Sequence, residues 1–284
     1  MPSLKEIRNR ITSVKKTQKT TSAMKMVSAA KLNRAEDTIR RARPYATKLR
    51  AVVSSLSGKL TPDDNPLFRD QEGQRVAVVL MTSDRGLCGG FNANLCKLLA
   101  RTLHEEGIDS AEMHIVGRKG RDFFRRTNHQ IAADYPDARP EHYLDIVFTV
   151  LDGLTVRFAA EELDRVCLVF NEYKSILTQE PTIQTLLPIR PLEDAEETEE
   201  QEVLFEPYVE ELIGPLIQQY IQNQMYTAWL GTLAGEHAAR MTAMDSATKN
   251  AGEMIKQLNL YYNRSRQAAI TKELIEIISG AESL

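Results

Sequence analysis

The sequence predicts an α/β domain set between two long helices, one at each end of the chain, that pair as a long antiparallel coiled coil. Three observations lead there. Residues 3 to 57 contain no glycine and a single proline, Pro44. Residues 75 to 190 alternate short apolar runs with amphipathic ones, and residues from 207 onward return to helical periodicity. A chain of 284 residues with 42% apolar content fills one ordinary core of ~100 to 200 residues and has length left over. Two rods that bury each other's seams use that surplus, which gives a rod beside a globule.

The N-terminal region is 1 to 57. Ser3 and Glu6 have the spacing of a capping box, in which each side chain satisfies a backbone donor at a helix start. Leu4, Ile7, Ile11 and Val14 then fall alternately three and four apart. The pattern weakens through Gln18 and Thr21 and resumes at Met24, Val27, Ala35 and Ile39, a narrow seam of the coiled-coil kind. Unbroken to Ser57, such a helix runs ~80 Å, with a bend expected at Pro44.

The middle region is 75 to 190. Candidate strands are Val76 to Met81, Met113 to Val116, Val166 to Phe170 and Thr182 to Pro188, with helices at Phe91 to Glu106, Arg118 to Thr127 and Glu141 to Leu163. Alternation of this kind predicts a largely parallel, Rossmann-like sheet. Residues 58 to 74, rich in Gly, Pro, Asp and Asn, connect it to the first helix. Residues 191 to 206 form a second, acidic junction that reads as a solvated loop.

The C-terminal region is 207 to 284. Pro207 suits a first helical turn and Gly280 a stop. Apolar positions from Leu212 and Leu216 to Leu274 and Ile277 mark the seam, and an unbroken helix spans ~110 Å. Gly231, Gly235 and Gly252 each weaken it by ~1 kcal/mol relative to alanine unless close packing uses them.

Charge is unevenly placed. Residues 1 to 57 carry fourteen Lys or Arg against Glu6, Glu36 and Asp37, a net of +11 in a chain whose total is -3. Such an arm is a solvated helix face, or it meets nucleic acid or an acidic protein surface. Tyr45 is the one aromatic before Phe68, which argues against base stacking. The longest apolar runs fall far short of the ~18 to 20 residues of a membrane span, and MPSLKEIRNR has no apolar core of a signal peptide. A soluble chain resident in the cytoplasm is expected. Cys88, Cys96 and Cys167 make no CxxC pair and the five histidines are scattered, so neither metal nor disulfide is expected.

SDRGLCGGFN, 83 to 92, joins a candidate strand to a candidate helix as a phosphate-binding loop does. The Walker pattern fails because Phe91 and Asn92 follow Gly89 and Gly90, and G-x-x-G-G is not the dinucleotide fingerprint. The residues alone suggest a tight turn presenting Asp84, Arg85 and Leu87. No catalytic motif stands elsewhere, and the chain reads as a part of a larger machine, without catalytic or cofactor-binding residues. Two alternatives stay open: a nucleotide-binding α/β enzyme with helical arms, and a coiled-coil adaptor on nucleic acid.

Four stretches resemble the γ subunit family of bacterial F-type ATP synthases, the central rotor shaft. They are IRNRITSVKKTQKTTSAMKMVSAAK at 7 to 31, SDRGLCGGFN, EHAARMTAM at 236 to 244, and YNRSRQAAITKELIEIISGA at 262 to 281. The resemblance implies a peripheral subunit on the cytoplasmic face of the inner membrane, one copy per complex. It implies as partners the α and β subunits of the catalytic ring, the ε subunit and the c-subunit ring, with no nucleic acid and no cofactor of its own. Proton or sodium flow then turns the shaft, whose asymmetry cycles the β sites, where ATP and magnesium bind. By matching positions, Met24 lies in the neck near the β levers, opposite Arg240. Arg266, Gln267, Thr271, Glu273 and Glu276 match a segment that hydrogen-bonds a catch loop of β, and Arg85 and Cys88 match a turn approaching a β lever. Thr20 and Pro215 depart from the family pattern, which bears on neck packing and helix continuity.

Overall fold

The computed structural model describes residues 3–57, 65–71, 73–138, 140–190 and 209–282. The acidic junction and Pro207 lie outside the described residues, as does the whole stretch 58–64. The chain divides into two compact units, Ala30–Ala239 and the pair Met1–Ala29 with Arg240–Leu284.

In the unit Ala30–Ala239, β1 (Val76–Met81), β2 (Glu112–Val116), β3 (Gln130–Tyr135) and β4 (Arg165–Tyr173) run parallel. β5 (Gln179–Leu187) is antiparallel to β4, and the order is β3-β2-β1-β4-β5. β1 is buried at every position, as a central strand covered on both faces must be, which is why VAVVLM shows no alternation. β3 was not anticipated: it is an edge strand with only Ile131, Ala133 and Tyr135 turned inward, so QIAADY carries no apolar run. β5 starts at Gln179, ahead of the expected Thr182, because its ladder to β4 begins at the pair Tyr173–Gln179. Pro181 is tolerated there because the strand is an edge.

Helices α2 (Phe91–Glu105) and α3 (Arg118–Phe124) cover one face, packing Leu95, Leu99 and Phe124 with Val78, Leu80, Met113 and Ile115. Helix α4 (Tyr143–Ala159) covers the other, shorter than predicted because a 3-10 turn at Pro140–His142 precedes it and Glu161 turns left-handed (φ 58°) after it. That face continues into Leu49 and Val53 of α1 (Leu4–Ser57) and Ile217, Tyr220, Ile221, Met225 and Trp229 of α5 (Val209–Glu282). Trp229, the sole tryptophan, stacks on Tyr143 at 4.1 Å.

Both long helices run through their prolines. Pro44 and Arg40, whose carbonyl loses its helical donor, are exposed, so the freed carbonyl stands open to solvent rather than buried and unpaired. The C-terminal stop at Gly280 is overrun: α5 reaches Glu282.

In the second unit, the inner face of α1 follows Leu4, Ile7, Ile11, Val14, Gln18, Thr21, Lys25 and Ser28, each buried or half-buried and alternately three and four apart. Val27, expected in this seam, is 57% exposed, and Ser28 is buried in its place. The heptad spacing continues through polar positions, and Val27 falls one residue off it. Across the seam, Thr21 meets Thr248, Lys25 meets Asp245, and Gln18 lies against Gly252. Rising numbers on α1 meet falling numbers on α5, so the pair is antiparallel. Carried to Ser3, this register ends near Gln267, and α5 goes on to Glu282 without a partner strand of α1. Leu274 and Ile277, expected in the seam, are therefore exposed.

Candidate functional sites

The turn after β1 is held by its own side chains. Asn92 accepts the N–H of Ser83 at 2.9 Å and donates to Ser83 Oγ at 2.7 Å and Cys88 Sγ at 3.3 Å. Ser83 Oγ in turn donates to the Arg85 carbonyl at 2.7 Å. Asp84 Oδ1 accepts the backbone N–H groups of Arg118 (3.1 Å) and Asp137 (3.0 Å), tying the turn to the loops after β2 and β3. Leu87 is left-handed at φ 64°, a conformation that disfavours side chains, and it stands 62% exposed. Gly89 follows at φ 58°.

In open α/β sheets a ligand binds beyond the carboxyl ends of the strands where the order reverses, here between β1 and β4. That place is filled. Cys88 and Phe91 cluster with Ala239 of α5. A Cβ on Gly235 would lie 3.1 Å from Phe91 Cε2 and 3.3 Å from Gln179 Cγ. Asn171, 1% exposed at the end of β4, donates to the Phe91 carbonyl at 3.4 Å. The inner side of the glycine turn, at Cys88 and Phe91, is thus closed by α5, while Arg85, Leu87, Gly89 and Gly90 stay exposed.

Of the two residues matched in this turn, Arg85 is exposed and Cys88 is 3% exposed, so the two do not share an outward face. Cys96 and Cys167 are buried as well, and burial pushes their thiols up to about 12 and about 11. No cluster of His, Cys, Asp or Glu able to hold a metal occurs among the described residues.

The middle of the α1–α5 seam is polar. Thr21 and Thr248 hydroxyls meet at 2.7 Å, and whichever of the two accepts there keeps its own proton to donate back along its helix, to the carbonyl of Gln18 or of Met244. Asp245 bridges Lys25 through Oδ1 and Lys249 through Oδ2, both at 2.7 Å. These ammonium groups, Lys249 foremost, hold its carboxyl down to about 2. Sequence reasoning saw the seam weaken here but missed the ion pair; the signal was the unbroken three-four spacing through Lys25. Met24 is half-buried beside this segment, and Arg240, predicted opposite it, is 7% exposed.

Farther along α5, Arg266, Gln267, Thr271 and Glu273 are exposed, and the Glu276 side chain lies outside the described residues. Among them stand Ile270, Leu274, Ile275, Ile277 and Ile278, between 49% and 68% exposed. An aliphatic row of this length on one helix marks a surface built to be covered.

Comparison with known proteins agrees. The chain matches the ATP synthase family over residues 3–284. It is 46% identical over 286 residues to the ATP synthase gamma chain of Geotalea uraniireducens and 47% identical over 286 residues to that of Geobacter metallireducens. In both cases the match covers 100% of this chain and 99% of the relative. Its fold resembles a chain of the Euglena gracilis mitochondrial ATP synthase rotor, with TM-score 0.67 and 22% identity over 94% of this chain and 98% of that one. The chain belongs to the ATP synthase gamma chain family.

Proposed function

We propose that this chain is the central shaft of a rotary ATP synthase. The observation that carries the reading is the end of α5. Past the reach of α1, a single helix leaves Ile270, Leu274, Ile275, Ile277 and Ile278 exposed, uncovered by the described residues. A helix of about one dozen residues is marginal alone in water, and each aliphatic side chain gains ~1.5 to 3 kcal/mol when covered. A sleeve formed by the α and β subunits supplies that cover, and Arg266, Gln267, Thr271, Glu273 and Glu276 meet its catch loop.

Lower on the pair, Lys5, Arg8, Arg10, Lys15, Lys16 and Lys19 are exposed, facing acidic lever loops of β. Distributed charge of this kind attracts at every angle without a single deep pocket, which suits a contact that must slide. Met24 and the buried Arg240 stiffen the neck at that level, and Arg85 meets a β lever. The α/β unit meets ε and the c ring, which ion flow turns. No described helix is long and apolar enough to cross a membrane, so the chain reaches the membrane's cytoplasmic face peripherally, through that ring. Chemistry stays on the β subunits; the chain contributes shape and torque.

The test uses the intact complex. The chain is expected as one copy beside three α and three β subunits. An Arg85→Cys variant disulfide-linked to a cysteine on the β lever should lose ATP turnover until the bond is reduced. Arg85 is used because Cys88 is buried. Unimpeded turnover with the link intact refutes the shaft.

A further inference from the structure

The strand-end edge of the sheet carries a second projection that the shaft reading leaves unused. Between β4 and β5 the chain turns at residues 174–178, and Leu177 there is 84% exposed, with Ile176 beside it at 42%. The tip is braced. Ser175 and Thr178 exchange backbone bonds at 3.1 and 3.2 Å, and Thr178 N–H also donates to Ser175 Oγ at 3.1 Å. Gln179 Nε2 clamps the carbonyls of Ser175 (3.0 Å) and Ile176 (2.9 Å). At its base Lys174 is paired with Glu180 and Glu172, which leaves the tip itself aliphatic and uncharged.

Its position is fixed against the glycine turn. Gly235 of α5 lies against both Gln179, which clamps the hairpin, and Phe91, which closes the turn behind Cys88. Leu87, also held rigid and exposed, stands one residue before Cys88. Two braced aliphatic tips therefore flank one helical residue at the same end of the sheet. Ordered apolar tips lose little entropy on binding, and a leucine this exposed is worth several-fold in affinity once covered.

We infer that Leu177 and Ile176 form a second docking point for the catalytic ring, continuous with the turn that carries Arg85 and Leu87. The occupant is an aliphatic or aromatic patch on the ring subunit that meets Arg85. The inference rests on the shaft reading, since it takes the ring as the partner above this edge.

The experiment places a benzophenone amino acid at Leu177 in the intact complex, with Lys97 on the exposed side of α2 as the control position. Irradiation should join residue 177, and not residue 97, to a β chain and stop ATP hydrolysis in the joined fraction. A Leu177→Asp variant should leave the melting temperature of the free chain unchanged and weaken reassembly with the ring about tenfold. If one copy still co-purifies with the ring but residue 177 joins no ring chain, or joins only another subunit, the docking point is refuted and the shaft stands. If no ring co-purifies, both fall.

Discussion

Gly235 is the residue on which the closed state of the glycine turn depends most directly. A helix-interior glycine costs about 1 kcal/mol relative to alanine. At Gly231 the nearest atom to an added Cβ is Tyr173 N at 3.9 Å, an ordinary contact. Gly231→Ala should therefore stabilise by nearly the full ~1 kcal/mol. At Gly235 the added carbon meets Phe91 Cε2 at 3.1 Å and Gln179 Cγ at 3.3 Å, inside the ~3.5 to 4.0 Å of a comfortable carbon contact. Phe91 is 6% exposed and has little room to retreat. Gly235→Ala should come out near zero, the helical gain offset by crowding. Gly235→Leu adds three more carbons where none fit, and overpacking of about 1 to 3 kcal/mol outweighs the propensity gain. In urea, a loss of ~2 kcal/mol moves the unfolding midpoint down by roughly 1 M at a slope of ~2 kcal/mol/M. Displacing Phe91 also uncovers Cys88, so its labelling by a thiol reagent in native buffer should quicken about tenfold or more, a local opening rather than global unfolding. A Gly235→Leu chain as stable as Gly231→Ala, with Cys88 still protected, would show that α5 does not seal the turn.

Asp245 gives a pH signature. Its folded value, about 2, lies below the ~3.9 of a free aspartate. Its stabilisation is therefore complete above ~4 and is lost as pH falls through about 2. Asp245→Asn should flatten the loss of helical circular dichroism in that window and lower the melting temperature modestly at pH 7, where both ion pairs are fully formed but partly exposed. Replacing Thr21 and Thr248 together by valine removes one hydrogen bond of about 1 kcal/mol and buries two methyls at up to about 0.8 kcal/mol each. The double variant should melt at the same temperature or higher, and either single variant should melt lower than the double. At Gly117, φ is 91° and an added Cβ would lie 2.2 Å from the Thr82 carbonyl oxygen. Gly117→Ala should cost more than ~3 kcal/mol and abolish soluble expression.

The two long helices and the central strands were legible because their signals are periodic: β1 is apolar at every position and α1 repeats three and four apart. Edges were not. β3 needs only three half-buried side chains, and the start of β5 is set by its ladder rather than by its own residues. Seam membership failed where it became polar. Valine was preferred to serine at 27 and 28 on hydrophobicity, while the spacing required Ser28. At the candidate sites, Arg85 and the exposed residues of α5 could be matched by motif, but the burial of Cys88 depends on Ala239 of α5, more than a hundred positions from the turn. No local pattern reports that.

The strict three-four repeat from Leu4 to Ser28 carries one more consequence. A seam with 3.5 residues per turn on a helix of 3.6 drifts ~20° per heptad, and the two helices must wrap left-handedly to keep it closed. Over the three and a half heptads involved, the pair turns by roughly 70°. Its outward faces are therefore helical stripes: the basic side chains near Lys5 point in a different direction from those near Lys19. A ring of threefold repeat around the pair, as proposed above, would meet a different side of it at each height. Asymmetry of contact is in this way written into the spacing of the seam itself, before any bend or insertion is added.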